Sequence, residues 1–107
     1  MNDENTKELV TIIVQRKDGQ RALDAATKAG APGVTYFYAR GTGIRQKLGM
    51  LGMFIEAEKQ IIMVAVEQGE GEKILNAITK ALELDKPGKG FGFIQPIYKV
   101  VGYYADK

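Results

Sequence analysis

Asp85-Lys86-Pro87-Gly88-Lys89-Gly90-Phe91-Gly92-Phe93-Ile94-Gln95-Pro96 joins a basic glycine loop to a short aromatic strand, and its place in the chain decides the fold. Gly88, Gly90 and Gly92 let a backbone come close to a ligand, and Lys86 and Lys89 give that approach the positive charge a phosphate requires. Lys89 to Ile94 also matches the ribonucleoprotein signature, whose rings stack on RNA bases. That signature belongs on the third strand of an RNA-recognition domain, before its second helix. Here it follows the second predicted helix, only 14 residues remain after Phe93, and Pro96 replaces the last aromatic. The first strand has no ring to accompany it. RNA binding therefore stays an alternative, and no nucleic-acid partner is expected.

Upstream of this stretch, Gly71 to Leu84 spaces Ile74, Leu75, Ile78, Ala81 and Leu82 at a helical period. Gln60 to Glu67 reads as a strand that is apolar on both faces. Val34 to Arg40 is another strand, with Val34, Tyr36 and Tyr38 on one face. Before it, Asp18 and Gly19 open a helix that runs to about Ala29, buries Leu23 and Ala26, and stops at Gly30-Ala31-Pro32-Gly33. Leu9 to Gln15 is the first strand. The last strand runs from Phe91 to about Val101, and Pro96, which cannot donate to a ladder, puts it at an edge or at a change of partner. This order is β-α-β-β-α-β: a ferredoxin-like α+β fold, an antiparallel sheet with two helices on one face. A shift of 55 positions lays Leu23 on Ile78, Pro32-Gly33 on Pro87-Gly88, Tyr36 on Phe91 and Tyr38 on Phe93, as a duplicated half would. Two helices cover one sheet face only. The other needs a partner subunit, through Ile12, Val14, Ile62 and Val64 or their alternates.

With 107 residues the chain holds one domain: a polar, acidic tail over 1–8, expected to be disordered, and a folded unit over 9–107. Its net charge of +2 is too small for bulk attraction to nucleic acid. Cys and His are absent, which excludes disulfides, thiol chemistry and the commonest metal ligand and general base. Ser is absent too, so no ordinary hydrolytic triad can form. The expectation is a non-enzyme without catalytic or metal-binding residues. No apolar run reaches the roughly 20 residues of a membrane span, and the amino terminus lacks a secretory pattern, so a cytoplasmic protein is expected.

Arg40-Gly41-Thr42-Gly43-Ile44-Arg45-Gln46-Lys47 is a second basic glycine segment. It fits neither a Walker loop nor a dinucleotide fingerprint. Alone, each glycine segment reads as a tight turn; together they make an anion cradle. Leu48-Gly49-Met50-Leu51-Gly52-Met53-Phe54-Ile55 follows, longer than a hairpin needs. It reads either as a turn tucked into the core or as a recognition loop whose methionines adapt to a partner.

Gly33-Val34-Thr35, Gly41-Thr42-Gly43 with Arg45-Gln46-Lys47, and Lys86-Pro87-Gly88-Lys89-Gly90 with Phe93 and Pro96 resemble the PII signalling family, from Leu9 to Gly102. The resemblance implies a homotrimer of ferredoxin-like subunits that binds adenine nucleotides in the clefts between them. It also implies a loop after the second strand, the T-loop, that docks on a target such as an ammonium transporter and can recruit the protein to the membrane. Thr35, Val64 and Ala65 fall where the family holds the adenine. Gly41, Gly43, Arg45 and Gln46 fall at the T-loop base, and Lys86, Gly88, Lys89, Gly90 and Phe91 in the phosphate-binding B-loop. Lys59, with Gln46, falls at the 2-oxoglutarate effector position. Leu48, Met50, Leu51, Met53 and Phe54 would form the partner loop. No cofactor is obligatory; the nucleotide, with or without magnesium, is a regulatory ligand.

The chain departs from the family in three places. Phe91 replaces a phosphate-binding lysine, and Gly102 and Tyr104 replace two arginines, which implies that ADP or AMP, rather than ATP, is the main ligand. The segment from Gly41 to Gln60 contains no Tyr and no Ser, so uridylylation or serine phosphorylation cannot occur there. The pattern suggests a divergent PII-like protein with a shortened T-loop. The alternative within the same fold is a trimeric scaffold that no longer binds nucleotide.

Overall fold

Val10, Ile12 and Val14 alternate with Leu9, Thr11 and Ile13, and that alternation sorts the first strand between two environments. The computed structural model describes residues 6–41 and 57–103. Strand β1 (Lys7–Gln15) leads through a short 3-10 helix (Arg16–Asp18) into α1 (Gly19–Lys28). Then come β2 (Thr35–Gly41), β3 (Ala57–Glu67), α2 (Gly71–Leu82) and β4 (Gly90–Ile97). The four strands form one antiparallel sheet in the order β2-β3-β1-β4. The architecture is the expected α+β ferredoxin-like βαββαβ, and Pro96 lies on an edge strand.

One sheet face lies under both helices. Val10, Ile12, Val14, Ile62, Val64 and Val66 pack there against Ala22, Ala26, Ile74, Ile78 and Leu82. The helices contribute narrow stripes: Leu23 and Leu75 are only half-buried, and Ala81, expected on the buried stripe, is exposed. At roughly 100° per residue Ala81 falls at the margin of the stripe formed by Ile74, Ile78 and Leu82, on the side opposite Leu75. Leu82 closes the stripe, and Glu83 turns the chain away in the left-handed region at φ 57°.

The opposite face is apolar, and among the described residues no second layer covers it. Leu9, Ile13, Ile61, Met63 and Ala65 lie half-buried there, flanked by Phe37 on β2 and by Phe91, Phe93 and Ile97 on β4. Ile12, Val14, Ile62 and Val64 are therefore core, not interface, and their alternates occupy the open face. Both parities of β1 and β3 are apolar, so period two alone does not say which side receives the helices.

Several boundaries shift. Strand β1 begins at Lys7, not Leu9, because Lys7 pairs with Glu67 and Ile97 and also ion-pairs with Glu67 at 3.3 Å. Strand β3 begins three residues early, at Ala57, opposite Gly41. Strand β4 ends at Ile97, short of Val101. The 55-residue shift also misleads. The pairing registers put Tyr36 and Tyr38 on the helix side and Phe91 and Phe93 on the open side, so the matched aromatics lie on opposite faces.

Candidate functional site

The carboxyl end of α2 delivers the chain into the basic glycine loop through a tight exit. The Leu84 amide donates to Thr79 O at 3.1 Å, and the Lys86 amide to Glu83 O at 3.0 Å. Lys86 Nζ lies 3.5 Å from Glu83 Oε2, while Lys89 is exposed. Gly88 adopts φ 82°, which favours glycine, and a Cβ built on it would meet nothing within 4 Å. Its carbonyl accepts a hydrogen bond from Gln15 Nε2 at 3.1 Å, which ties the loop to the end of β1.

The other two glycines have different tasks. A Cβ on Gly90 (φ 121°) would strike the carbonyl oxygen of Ile13 and lie 3.1 Å from Val14 Cα. A Cβ on Gly92 would lie 2.5 Å from Ile12 Cδ1 and 2.8 Å from Leu75 Cδ1, so Gly92 lets α2 pack on the sheet. Of the three, only Gly88 has open space in front of it. Phe91 turns to the open face, 57% exposed, and stacks on Phe93 at 6.1 Å between centroids. A hollow behind the loop, lined by Asn76, Thr79, Lys80, Glu83, Asp85 and Lys86, balances two carboxylates against two ammonium groups and offers an anion no net charge.

At the same end of the sheet, β2 and β3 finish their ladder with Ala39↔Lys59, Arg40↔Glu58 and Gly41↔Ala57. The carbon stem of Lys59 passes within about van der Waals distance of Gly41, 3.5 Å from a Cβ built there. Lys59 also pairs in register with Gln15. Arg16 Nη1 donates to Glu58 Oε1 at 3.1 Å, and its guanidinium sits 4.2 Å from the centre of the Tyr38 ring. Tyr38 in turn meets Tyr36 edge-on at 6.2 Å. The structure thus brings the Gly88 loop, Lys59 and the strand ends at Gly41 and Ala57 to one end of the sheet.

It does not bring all the expected residues together. Gly41 and Gly90 stand on opposite sheet edges, separated by three strand spacings, roughly 14 Å across the sheet, and by three residues of register along it. Thr35 opens β2 at the far end of that strand. The side chain of Val64 is 1% exposed beneath the helices, so only its main chain could meet a ligand. The β2·β3 ladder stops at Thr35↔Met63, and among the described residues no strand covers that edge of β3 from Val64 onward. Gly43, Arg45, Gln46, Leu48, Met50, Leu51, Met53 and Phe54 lie outside the described residues. At the opposite end of the sheet, Lys7 lies 5.5 Å from the Tyr103 ring centre, and burial, then the Glu67 charge, raises the Tyr103 phenol above its ordinary pKa.

The sequence profile described as Nitrogen regulatory protein P-II matches residues 7–107. The chain belongs to the PII family. PII proteins are regulators and not enzymes, and the same holds for this chain. No curated protein matches it in sequence. Among solved structures, the chain is similar to the ATP complex of GlnK from B. subtilis, at 19% identity and a TM-score of 0.69, with 88% of this chain and 84% of that one covered. A second structure of B. subtilis GlnK aligns at 18% identity and a TM-score of 0.67, covering 87% and 86%. At such identities the likeness speaks for the fold. Among the described residues no helix is long and apolar enough to cross a membrane, and no cluster of three His, Cys, Asp or Glu side chains stands ready for a metal.

Sequence reasoning gave Gln15, Arg16, Tyr38 and Glu58 no part in the site. A polar Gln-Arg pair closing an apolar strand was the available signal. Their contacts span 42 and 73 residues of chain, and no local pattern encodes those.

Proposed function

We propose that this PII-family protein is a homotrimeric sensor of ADP, AMP or ATP, which bind between subunits and alter how segment 42–56 engages a target. The carrying observation is Gly88: a left-handed, unobstructed glycine between Lys86 and Lys89, its carbonyl turned away onto Gln15. An exposed glycine loop between two lysines suits one or two phosphates, with Lys86 released from Glu83 on binding. A fold relative crystallised with ATP adds support.

The site needs a second copy. Within one chain, Thr35, the main chain of Val64 and Ala65 lie toward the β2 edge, and Lys86, Gly88, Lys89 and Gly90 at the β4 edge. A neighbour that sets its β4 edge beside β2 would complete a cleft for base and phosphates. The open apolar face supplies the reason to associate. Gly41, Gly43, Arg45 and Gln46 would line the phosphate end of that cleft, Lys59 and Gln46 would meet a small carboxylate effector, and magnesium would accompany the nucleotide. Leu48, Met50, Leu51, Met53 and Phe54 would dock on a protein target. By family analogy that target is a membrane transporter, which a cytoplasmic protein would reach from its own side.

Phe91 gives no cation for a third phosphate, and losing one charge-assisted contact costs about 1.5–3 kcal/mol. Calorimetric titration should find ADP or AMP bound at least as tightly as ATP. ATP binding tenfold tighter than both would contradict this ligand order. The stacked Phe91–Phe93 pair also favours a second reading, a trimeric scaffold that has lost its ligand. Absence of heat with all three nucleotides would select it.

A further inference from the structure

Gln15 and Arg16 are consecutive residues that reach in opposite directions. Gln15 holds the Gly88 carbonyl at 3.1 Å, toward the β4 edge. Arg16 holds Glu58 at 3.1 Å and covers the Tyr38 ring at 4.2 Å, toward the β2 edge. Glu58 and Tyr38 stand one and three residues from Ala57 and Gly41, the last pair of the ladder. One dipeptide at the end of β1 therefore touches both the basic glycine loop and the strand ends between which 42–56 runs.

We propose that the Gln15–Arg16 corner is a positioning element that couples the Gly88 loop to the root of segment 42–56. A change in the loop that moves the Gly88 carbonyl pulls on Gln15. Because the two residues share a backbone, Arg16 must then shift against Glu58 and Tyr38. An arginine suits this place: its planar head can ion-pair along its edge and stack through its face at once, which a lysine cannot do. Arg16 and Glu58 are each about half exposed, with side-chain exposures of 49% and 54%, so their contact is weak enough to be remade as the loop changes. The ligand part of this inference rests on the nucleotide reading above; the coupling itself does not.

Amide hydrogen exchange on the full chain tests it, with the wild type, Arg16→Ala and Arg16→Lys compared without ligand and with ADP. Without ligand, Arg16→Ala should speed exchange at 39–41 and 57–59 by about three- to tenfold, the size expected for a partly exposed ion pair with a ring contact. It should also speed exchange at 88–90, where Arg16 makes no contact. Arg16→Lys should recover part of both effects. With ADP, the wild type should slow exchange at both places and Arg16→Ala only at 88–90. Exchange at 88–90 that ignores Arg16→Ala without ligand would overturn the coupling, as would an ADP response at the root that survives the substitution. No ADP response in the wild type would instead remove the nucleotide reading, and the ligand-free comparison would still decide the corner.

Discussion

Ile13→Asp should leave a folded chain that no longer assembles, whereas Ile12→Asp should leave no folded chain. The two residues are neighbours on β1 with opposite parity. Ile12 is 0% exposed, between the sheet and α2. A carboxylate there has no partner, and its desolvation costs several kcal/mol, comparable with the roughly 5–15 kcal/mol that holds a whole domain together. Ile13 faces the uncovered side, where Thr11 already places a hydroxyl beside Met63 and Phe93. A charge there stays hydrated in the single chain and meets its own copies in an assembly. Sedimentation velocity and circular dichroism read the two outcomes separately. Wild-type mass for Ile13→Asp would contradict the open-face interface, and a folded Ile12→Asp would contradict the core.

Gly90→Ala should be nearly as damaging, although it adds one methyl group. At φ 121° any side chain is strained by about 1–3 kcal/mol. The new Cβ would also strike the Ile13 carbonyl, a backbone atom of a central strand that cannot turn aside. Overpacking adds about 1–3 kcal/mol, so the expected loss is about 2–6 kcal/mol, read as a fall in the denaturant midpoint. Alanine at Gly88, where space is open and only φ opposes it, should cost no more than the strain alone. Equal losses at the two positions would mean that β4 does not approach β1 this closely.

Much of the fold was legible from order and period. The stripe Ile74, Ile78 and Leu82 predicted α2, and Pro96 predicted an edge strand. Which face of β1 lies under the helices was not legible, because Val10-Thr11-Ile12-Ile13-Val14 is apolar in both parities apart from one threonine. The glycine motif was legible as a loop but not in its division of labour. Gly90 and Gly92 serve contacts with Ile13, Ile12 and Leu75, which come from other elements and leave no trace near the motif. Gln15 and Arg16 escaped for the same reason. The glycine loop and the strand ends at Gly41 and Ala57 do share one end of the sheet, but the cleft proposed between two copies cannot be read from one strand order.

The central claim is that the Gly88 loop holds the phosphates of an adenine nucleotide. The most direct measurement is calorimetric titration of ADP into the wild type and into Gly88→Asp, with the mass of each assembly checked alongside. Aspartate tolerates positive φ better than most residues and would point into open space, so the fold and assembly should survive. Its carboxylate would oppose the phosphates and remove the advantage of Lys86 and Lys89. The account predicts saturable ADP binding by the wild type and binding at least about thirtyfold weaker by Gly88→Asp, the equivalent of roughly 2 kcal/mol. Equal affinity in the two proteins, or no binding by a correctly assembled wild type, would contradict it.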